Sequence, residues 1–200
     1  MKLAIISGSH RLDSQSARIS RALADRVNEL SLFDSVEILS LAGNPLPLWD
    51  ESIWSGDAEW KARLAPWKQK LKKADALIVV APEWNGMVPS GLKNFFLLFG
   101  TAELGHKPAL ITAISAGQGG SYPVVELRTS SYKNSRICYL PDHLIVRHVG
   151  QVLTGDDPEG DQHLWERADY CLNLLKEYSA GLKLVRESGV VDHKTFRNGM

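Results

Sequence analysis

The chain has 200 residues, of which 44% are hydrophobic and 23% charged, and its 23 Lys and Arg residues balance 23 Asp and Glu. This is the composition of a folded globular protein, and the length favours one domain that buries enough surface to stand without disulfides or metals. A net charge of zero argues against non-specific nucleic-acid binding, which needs a basic surface to displace counterions.

The N-terminus carries only four consecutive apolar residues, Leu3-Ala4-Ile5-Ile6, too few for the core of a secretory signal. The next apolar runs, 76–82 and 95–99, fall far short of the roughly 20 residues that cross a bilayer. Cys138 and Cys171 form no Cys-x-x-Cys and imply no disulfide framework. The expectation is a soluble, cytoplasmic protein with no nucleic-acid or membrane partner, built as one domain over residues 1–187 with a loose tail over 188–200.

In chain order, Leu3-Ala4-Ile5-Ile6 ends at Ser7-Gly8 and reads as a first buried strand. Ile19, Leu23, Val27 and Leu30 form a helical stripe, with Asp13 or Ser14 as its N-cap. The mixed segment 36–41 reads as an outer strand. Trp60, Leu64, Trp67 and Leu71 fall at helical spacing, but Pro66 interrupts them; the expectation is a break there, with Pro66 opening a second short helix. A third strand over 76–81 ends at Pro82, and a helix over 90–99 follows. Residues 109–114 give a fourth strand that ends at Ser115-Ala116-Gly117, and 124–137 a helix. Residues 143–149 with 151–153 offer a fifth strand. Leu164, Ala168, Cys171, Leu175, Tyr178 and Leu182 step by four and three, the pattern of a last helix.

This alternation implies an α/β fold, a three-layer doubly wound parallel sheet of five strands with right-handed crossovers. Spacing leaves two strand orders open. Both place ligands beyond the carboxyl ends of the strands, where strand order reverses, so the loops after the first, third and fourth strands are where chemistry is sought.

The first loop, Gly8 to Ser16, runs from a strand into a helix. A helix N-terminus suits an anion; Ser9, Ser14 and Ser16 add hydroxyl donors, and Arg11 a guanidinium that fits phosphate. It is neither the P-loop, which needs Gly-Lys-[Ser/Thr], nor the dinucleotide fingerprint: no glycine occurs between Gly8 and Gly43 and no acid ends the second strand. The second loop, Ala81 to Asn94, contains two prolines and two glycines that shape its backbone. In it Trp84 offers a flat face, and Asn85-Gly86 suits left-handed conformations that aim amides into a cleft. The third loop, Ser115 to Tyr122, holds three glycines in four residues and permits close approach of a ligand to backbone. All three leave strands on one rim. The six histidines show no metal-ligand spacing.

These elements together resemble the NADPH-dependent FMN reductase family of flavin, quinone and azo reductases. They are Gly8-Ser9-x-Arg11-x-x-Ser14-x-Ser16, Pro82-Glu83-Trp84-Asn85-Gly86-x-x-Pro89-x-x-Leu92-Lys93-Asn94 and Ser115-x-Gly117-x-Gly119-Gly120, with Leu46-Pro47-Leu48-Trp49-Asp50-Glu51 similar to the segment after the family's second strand. The resemblance implies a flavodoxin-like fold of strand order 2-1-3-4-5 with FMN at the switch point. It implies that Ser9, Arg11, Ser14 and Ser16 hold the FMN phosphate, that Pro82, Glu83, Trp84, Asn85 and Gly86 line the isoalloxazine and ribityl chain, and that Ser115, Ala116 and Gly117 border the other edge of the ring. It further implies NAD(P)H as electron donor, a small-molecule electron acceptor (quinone, flavin or azo compound), ping-pong turnover through the flavin with no catalytic side chain, and a homodimer or homotetramer in which Trp49 and Trp54 reach a neighbour's flavin. The sequence departs from the family with Trp84 in place of the usual Tyr, and with Leu97-Leu98 in place of an acid-aromatic pair near the surface that resembles the family's dimer contact. A non-catalytic electron carrier or redox sensor of the same fold is the competing reading; carriers usually rely on lopsided charge, which this chain lacks.

Overall fold

The computed structural model describes residues 1–199. Five parallel strands, β1 (Lys2–Ser7), β2 (Ser35–Ser40), β3 (Ala76–Pro82), β4 (Pro108–Ile114) and β5 (Cys138–Val146), form one sheet in the order β2-β1-β3-β4-β5. That is the order the resemblance implied, and strand order reverses between β1 and β3. The helices are α1 (Gln15–Glu29), α2 (Ala58–Lys73), α3 (Ser90–Leu98), the short α4 (Thr101–Leu104), α5 (Ser121–Ser130) and α6 (Pro158–Glu187), and a single 3₁₀ turn spans Glu51–Ser55.

Alternate residues of each strand serve two cores. Ala4, Ile6, Leu77, Val79 and Ile111 pack beneath Trp60, Leu64, Leu92, Phe95 and Leu127 of α2, α3 and α5. Leu3, Ile5, Ile78, Val80 and Leu110 pack on the opposite face beneath Ile19, Leu23 and Val27 of α1 and Cys171, Leu172 and Leu175 of α6. Every residue of β3 and β4 is buried, which explains their unbroken apolar runs. β2, at the edge, is half-exposed and mixed.

Four expectations need correction. Helix α2 runs unbroken through Pro66. The proline is exposed, as is Ala62, whose carbonyl loses its helical partner on the solvent side of the helix, while Trp60, Leu64 and Leu71 hold both halves of α2 to the core. Strand β5 begins at Cys138 and ends at Val146, earlier than read. Its pairing with β4 is irregular between Ala109 and Ile111, where Pro141 and Asp142 add length to the edge strand, a place that tolerates proline. Helix α5 covers Ser121–Ser130 rather than 124–137. The segment after α6 is tied down: Arg136 donates to the Phe196 carbonyl and meets His193 Nδ1, and the His193 ring stacks on His106 at 5.3 Å and 4°. None of these changes moves the three rim loops.

Candidate functional site

The loops after β1, β3 and β4 meet in one cleft of about 190 Å³. Its first wall is the start of α1. Ser14 is extended (φ −145°, ψ 145°) and its Oγ accepts the Ala17 N–H at 3.2 Å, which makes it the N-cap. The next N–H groups, of Gln15 and Ser16, have no intrahelical acceptor by helix geometry, and the first turn contains no acidic residue. The positive end of α1 therefore reaches the cleft uncompensated. Ser9 is buried, with its Oγ accepting the Arg11 N–H at 3.3 Å. Ser16 Oγ is buried with no hydrogen-bond partner among the described residues, a condition that costs free energy unless a ligand supplies one. Arg11 is exposed, and its guanidinium has no ion-pair or hydrogen-bond partner among the described residues.

The second wall is Pro82, Glu83 and Trp84. Trp84 and Met87 exchange two backbone hydrogen bonds of 2.9 and 3.0 Å, and Asn85 and Gly86 between them have φ of 51° and 74°. This is the two-residue turn that an Asn-Gly pair favours. It holds Trp84 in the cleft while Asn85 and Gly86 lie beyond its lining. The Trp84 ring meets His10 edge-on at 4.6 Å and 72°.

The third loop contributes Ala116. Ser115 is buried behind it and accepts the Gly117 N–H at 3.3 Å, and the Gly117 carbonyl accepts the His148 N–H at 3.1 Å. Of the twelve residues expected at the site, Ser9, Arg11, Ser14, Ser16, Pro82, Glu83, Trp84 and Ala116 are brought together. Asn85, Gly86, Ser115 and Gly117 stand behind them.

Glu83 has a role that the sequence did not show. Its carboxylate accepts the N–H of Gly120, and a Cβ at Gly119 would come within 2.6 Å of Glu83 Oε1. The side chain thus straps the second loop to the third and passes close over Gly119. The cleft also contains Gln15, Ile114 and Val149, which pattern reading missed. Val149 comes from the loop after β5, outside the three loops singled out. It is positioned by Arg18, which donates to the carbonyls of Val149, Val152 and Leu153, the last at 2.6 Å. Burial lowers the pKa of Arg18 from the ordinary arginine range, and the nearby Asp161 carboxylate partly offsets this.

Residues 1–151 match the family described as NADPH-dependent FMN reductase. The chain belongs to that family. It is 31% identical over 125 residues to a 2-hydroxy-1,4-benzoquinone reductase of Burkholderia sp, a match that covers 60% of this chain and 64% of that enzyme's length. It is 24% identical over 189 residues to an NADPH azoreductase of Bacillus sp. (strain OY1-2), covering 94% of this chain and 96% of the relative. Among solved structures, the flavoenzyme NAD(P)H:(acceptor) oxidoreductase FerB from Paracoccus denitrificans superposes with a TM-score of 0.69 at 18% identity, over 90% of this chain and 97% of that one. An FMN-dependent NADH-azoreductase from Bacillus anthracis in complex with FMN does so with 0.60 at 17%, over 88% and 100%. At those identities the likeness shows the fold.

The cleft fits the family's cofactor by its chemistry. Free N–H groups, the unpartnered Ser16 hydroxyl and the unpaired Arg11 form a donor set for a dianionic phosphate. Beside it, the flat Trp84 side chain and the small Ala116 suit a planar ring.

Proposed function

We propose that this protein is an FMN-dependent NAD(P)H oxidoreductase that reduces a small acceptor such as a quinone, a flavin or an azo compound. The observation that carries this reading is the set of unengaged donors at the start of α1, adjoining the flat wall of Trp84 and the glycine-rich third loop. The bound flavin would supply the redox chemistry, accepting hydride from a nicotinamide and delivering electrons onward. The protein's own part is to hold and orient. Ser9, Ser14, Ser16 and Arg11 bind the phosphate, Trp84 limits where the ring lies, and the Glu83 strap keeps the third loop closed against the second. One open cleft over one ring implies that donor and acceptor take turns.

Initial rates of NADPH oxidation with 1,4-benzoquinone, measured on the FMN-loaded protein, test this. Parallel double-reciprocal lines are expected, and intersecting lines contradict alternation. A yellow protein that oxidises no nicotinamide would be a binder or sensor instead.

The reading extends to self-association. The exposed Leu97 and the partly buried Phe96 line a groove of about 440 Å³ between α3 and the end of α5, and Tyr122, Val125 and Tyr132 are exposed on α5 and just after it; exposed apolar side chains of this kind mark an interface. Trp54, 77% exposed and edge-on to Trp49 at 5.2 Å, is available to a second subunit. Light scattering should give a dimer or tetramer, and a monomer at micromolar concentration contradicts this. No helix among the described residues is long and apolar enough to cross a membrane, and a cytoplasmic location accords with two free cysteines.

A further inference from the structure

Arg11 and Arg147 both stand at the carboxyl-end rim without a carboxylate partner among the described residues. Eight other cations do have one: Arg26, Arg63, Lys70, Lys72, Lys93, Arg167, Lys183 and Arg186 sit in ion pairs. Arg11 belongs to the phosphate wall already described. Arg147 does not line that cleft. It follows directly on β5, is exposed, and donates through Nε to the carbonyls of Gln118 at 2.7 Å and Gly119 at 3.1 Å.

This tether differs from the setting of an ordinary surface arginine. The third loop is held from two sides, by Glu83 on the N–H of Gly120 and by Arg147 on the two preceding carbonyls. The stem of Arg147 is therefore fixed before any ligand arrives, which removes much of the ordering cost of a long side chain. Both terminal nitrogens remain without a protein partner among the described residues. A guanidinium presents its donors as a planar fork suited to phosphate oxygens. The Glu83 carboxylate, which reaches this loop from the second one, accepts the Gly120 N–H and forms no ion pair with Arg147 among the described residues.

We propose that Arg147 is a specificity-determining residue that binds the 2′-phosphate of an NADPH donor seated over the third loop and so sets preference for NADPH over NADH. The inference rests on the oxidoreductase reading above and adds which donor the site selects and by which residue.

The test is calorimetric titration of the FMN-loaded protein with NADP⁺ and NAD⁺, wild type against Arg147→Ala and Arg147→Gln, with FMN affinity measured on each. Wild type should bind NADP⁺ at least tenfold more tightly than NAD⁺. Both variants should lose that preference through weaker NADP⁺ binding, with NAD⁺ and FMN affinities unchanged. Steady-state rates should follow, with KM for NADPH raised at least tenfold and kcat held. Equal binding of the two nucleotides to wild type overturns the assignment. So does an equal loss of both in the variants, which would place Arg147 on the shared pyrophosphate. Weaker FMN binding in the variants would place it on the flavin and likewise overturns it. Failure of the oxidoreductase reading looks different, because wild type would then neither retain FMN nor oxidise either donor.

Discussion

The two rims of the sheet differ in how their polar groups are used. At the amino-end rim a set of charged groups is engaged within the protein. The Met1 ammonium pairs with Asp34, and Asp75 accepts the Lys2 N–H at 2.9 Å and pairs with Arg186 at 3.4 Å. Arg186 also donates to the His106 carbonyl at 3.0 Å, and Arg136 ties down the C-terminal segment. Lys107, buried just before β4, donates to the carbonyls of Leu71 and Lys72 at 2.5 and 3.3 Å, and so caps the end of α2. At the carboxyl-end rim Glu83 and Arg18 are engaged too, but other donors stay free. The first N–H groups of α1, the buried Ser16 hydroxyl, the Arg11 guanidinium and the two terminal nitrogens of Arg147 are left over among the described residues. Unengaged donors gathered beside one cleft mark where a ligand supplies the missing partners, whereas the engaged groups of the other rim contribute to stability.

This contrast can be broken at either end. The largest effect is expected at Arg11. Arg11→Ala should weaken FMN binding by roughly 1.5–3 kcal/mol, the worth of a charge-assisted hydrogen bond, and leave the melting temperature of the flavin-free protein unchanged. A variant that melts earlier but binds FMN normally would assign Arg11 to the structural rim.

The second effect belongs to the other rim. Burial, with the Arg186 charge nearby, pushes the Lys107 pKa down to about 8, against about 10.4 in an unfolded chain. Between those values the unfolded state binds more protons, so this group makes stability rise with pH across the window. Wild type should gain on the order of 2 kcal/mol relative to Lys107→Met from pH 8 to pH 10.4, read from urea midpoints. Parallel pH profiles for the two proteins would contradict it.

A smaller effect sharpens the contrast. Ser16→Ala should weaken FMN binding by roughly 0.5–1.5 kcal/mol while the flavin-free protein is no less stable, because the deleted hydroxyl has no partner there. Denaturant titrations with and without FMN separate the two terms. Smallest is the strap: Glu83→Gln keeps an oxygen to accept the Gly120 N–H and should stay within about a factor of three of wild type in FMN affinity, whereas Glu83→Ala should lose more.

The layered fold and the rim that carries the loops were legible in sequence because both depend on local pattern: short apolar runs for buried strands and steps of three and four for helices. What escaped depends on contacts made at long range. Pro66 reads as a break because its own chemistry forbids an interior helix, yet its exposure and the packing of Trp60 and Leu71 on either side override that. The edge strand β5 hides its start because Pro141 and Asp142 interrupt its apolar pattern. The C-terminal segment loses periodicity, but Arg136 and His106 secure it from 57 and 87 residues away. At the site, the loops identified Ser9, Arg11, Ser14, Ser16 and Trp84, while the Glu83 strap and the Arg18 clamp on Val149 exist only once distant segments meet.

The central claim is that the carboxyl-end rim seats FMN. Its most direct test is to saturate the purified protein with FMN, desalt it, and record the visible spectrum and melting temperature. Retention of a flavin absorbance band and a melting temperature raised above the flavin-free protein are predicted. A colourless protein with an unchanged melting temperature would contradict the account.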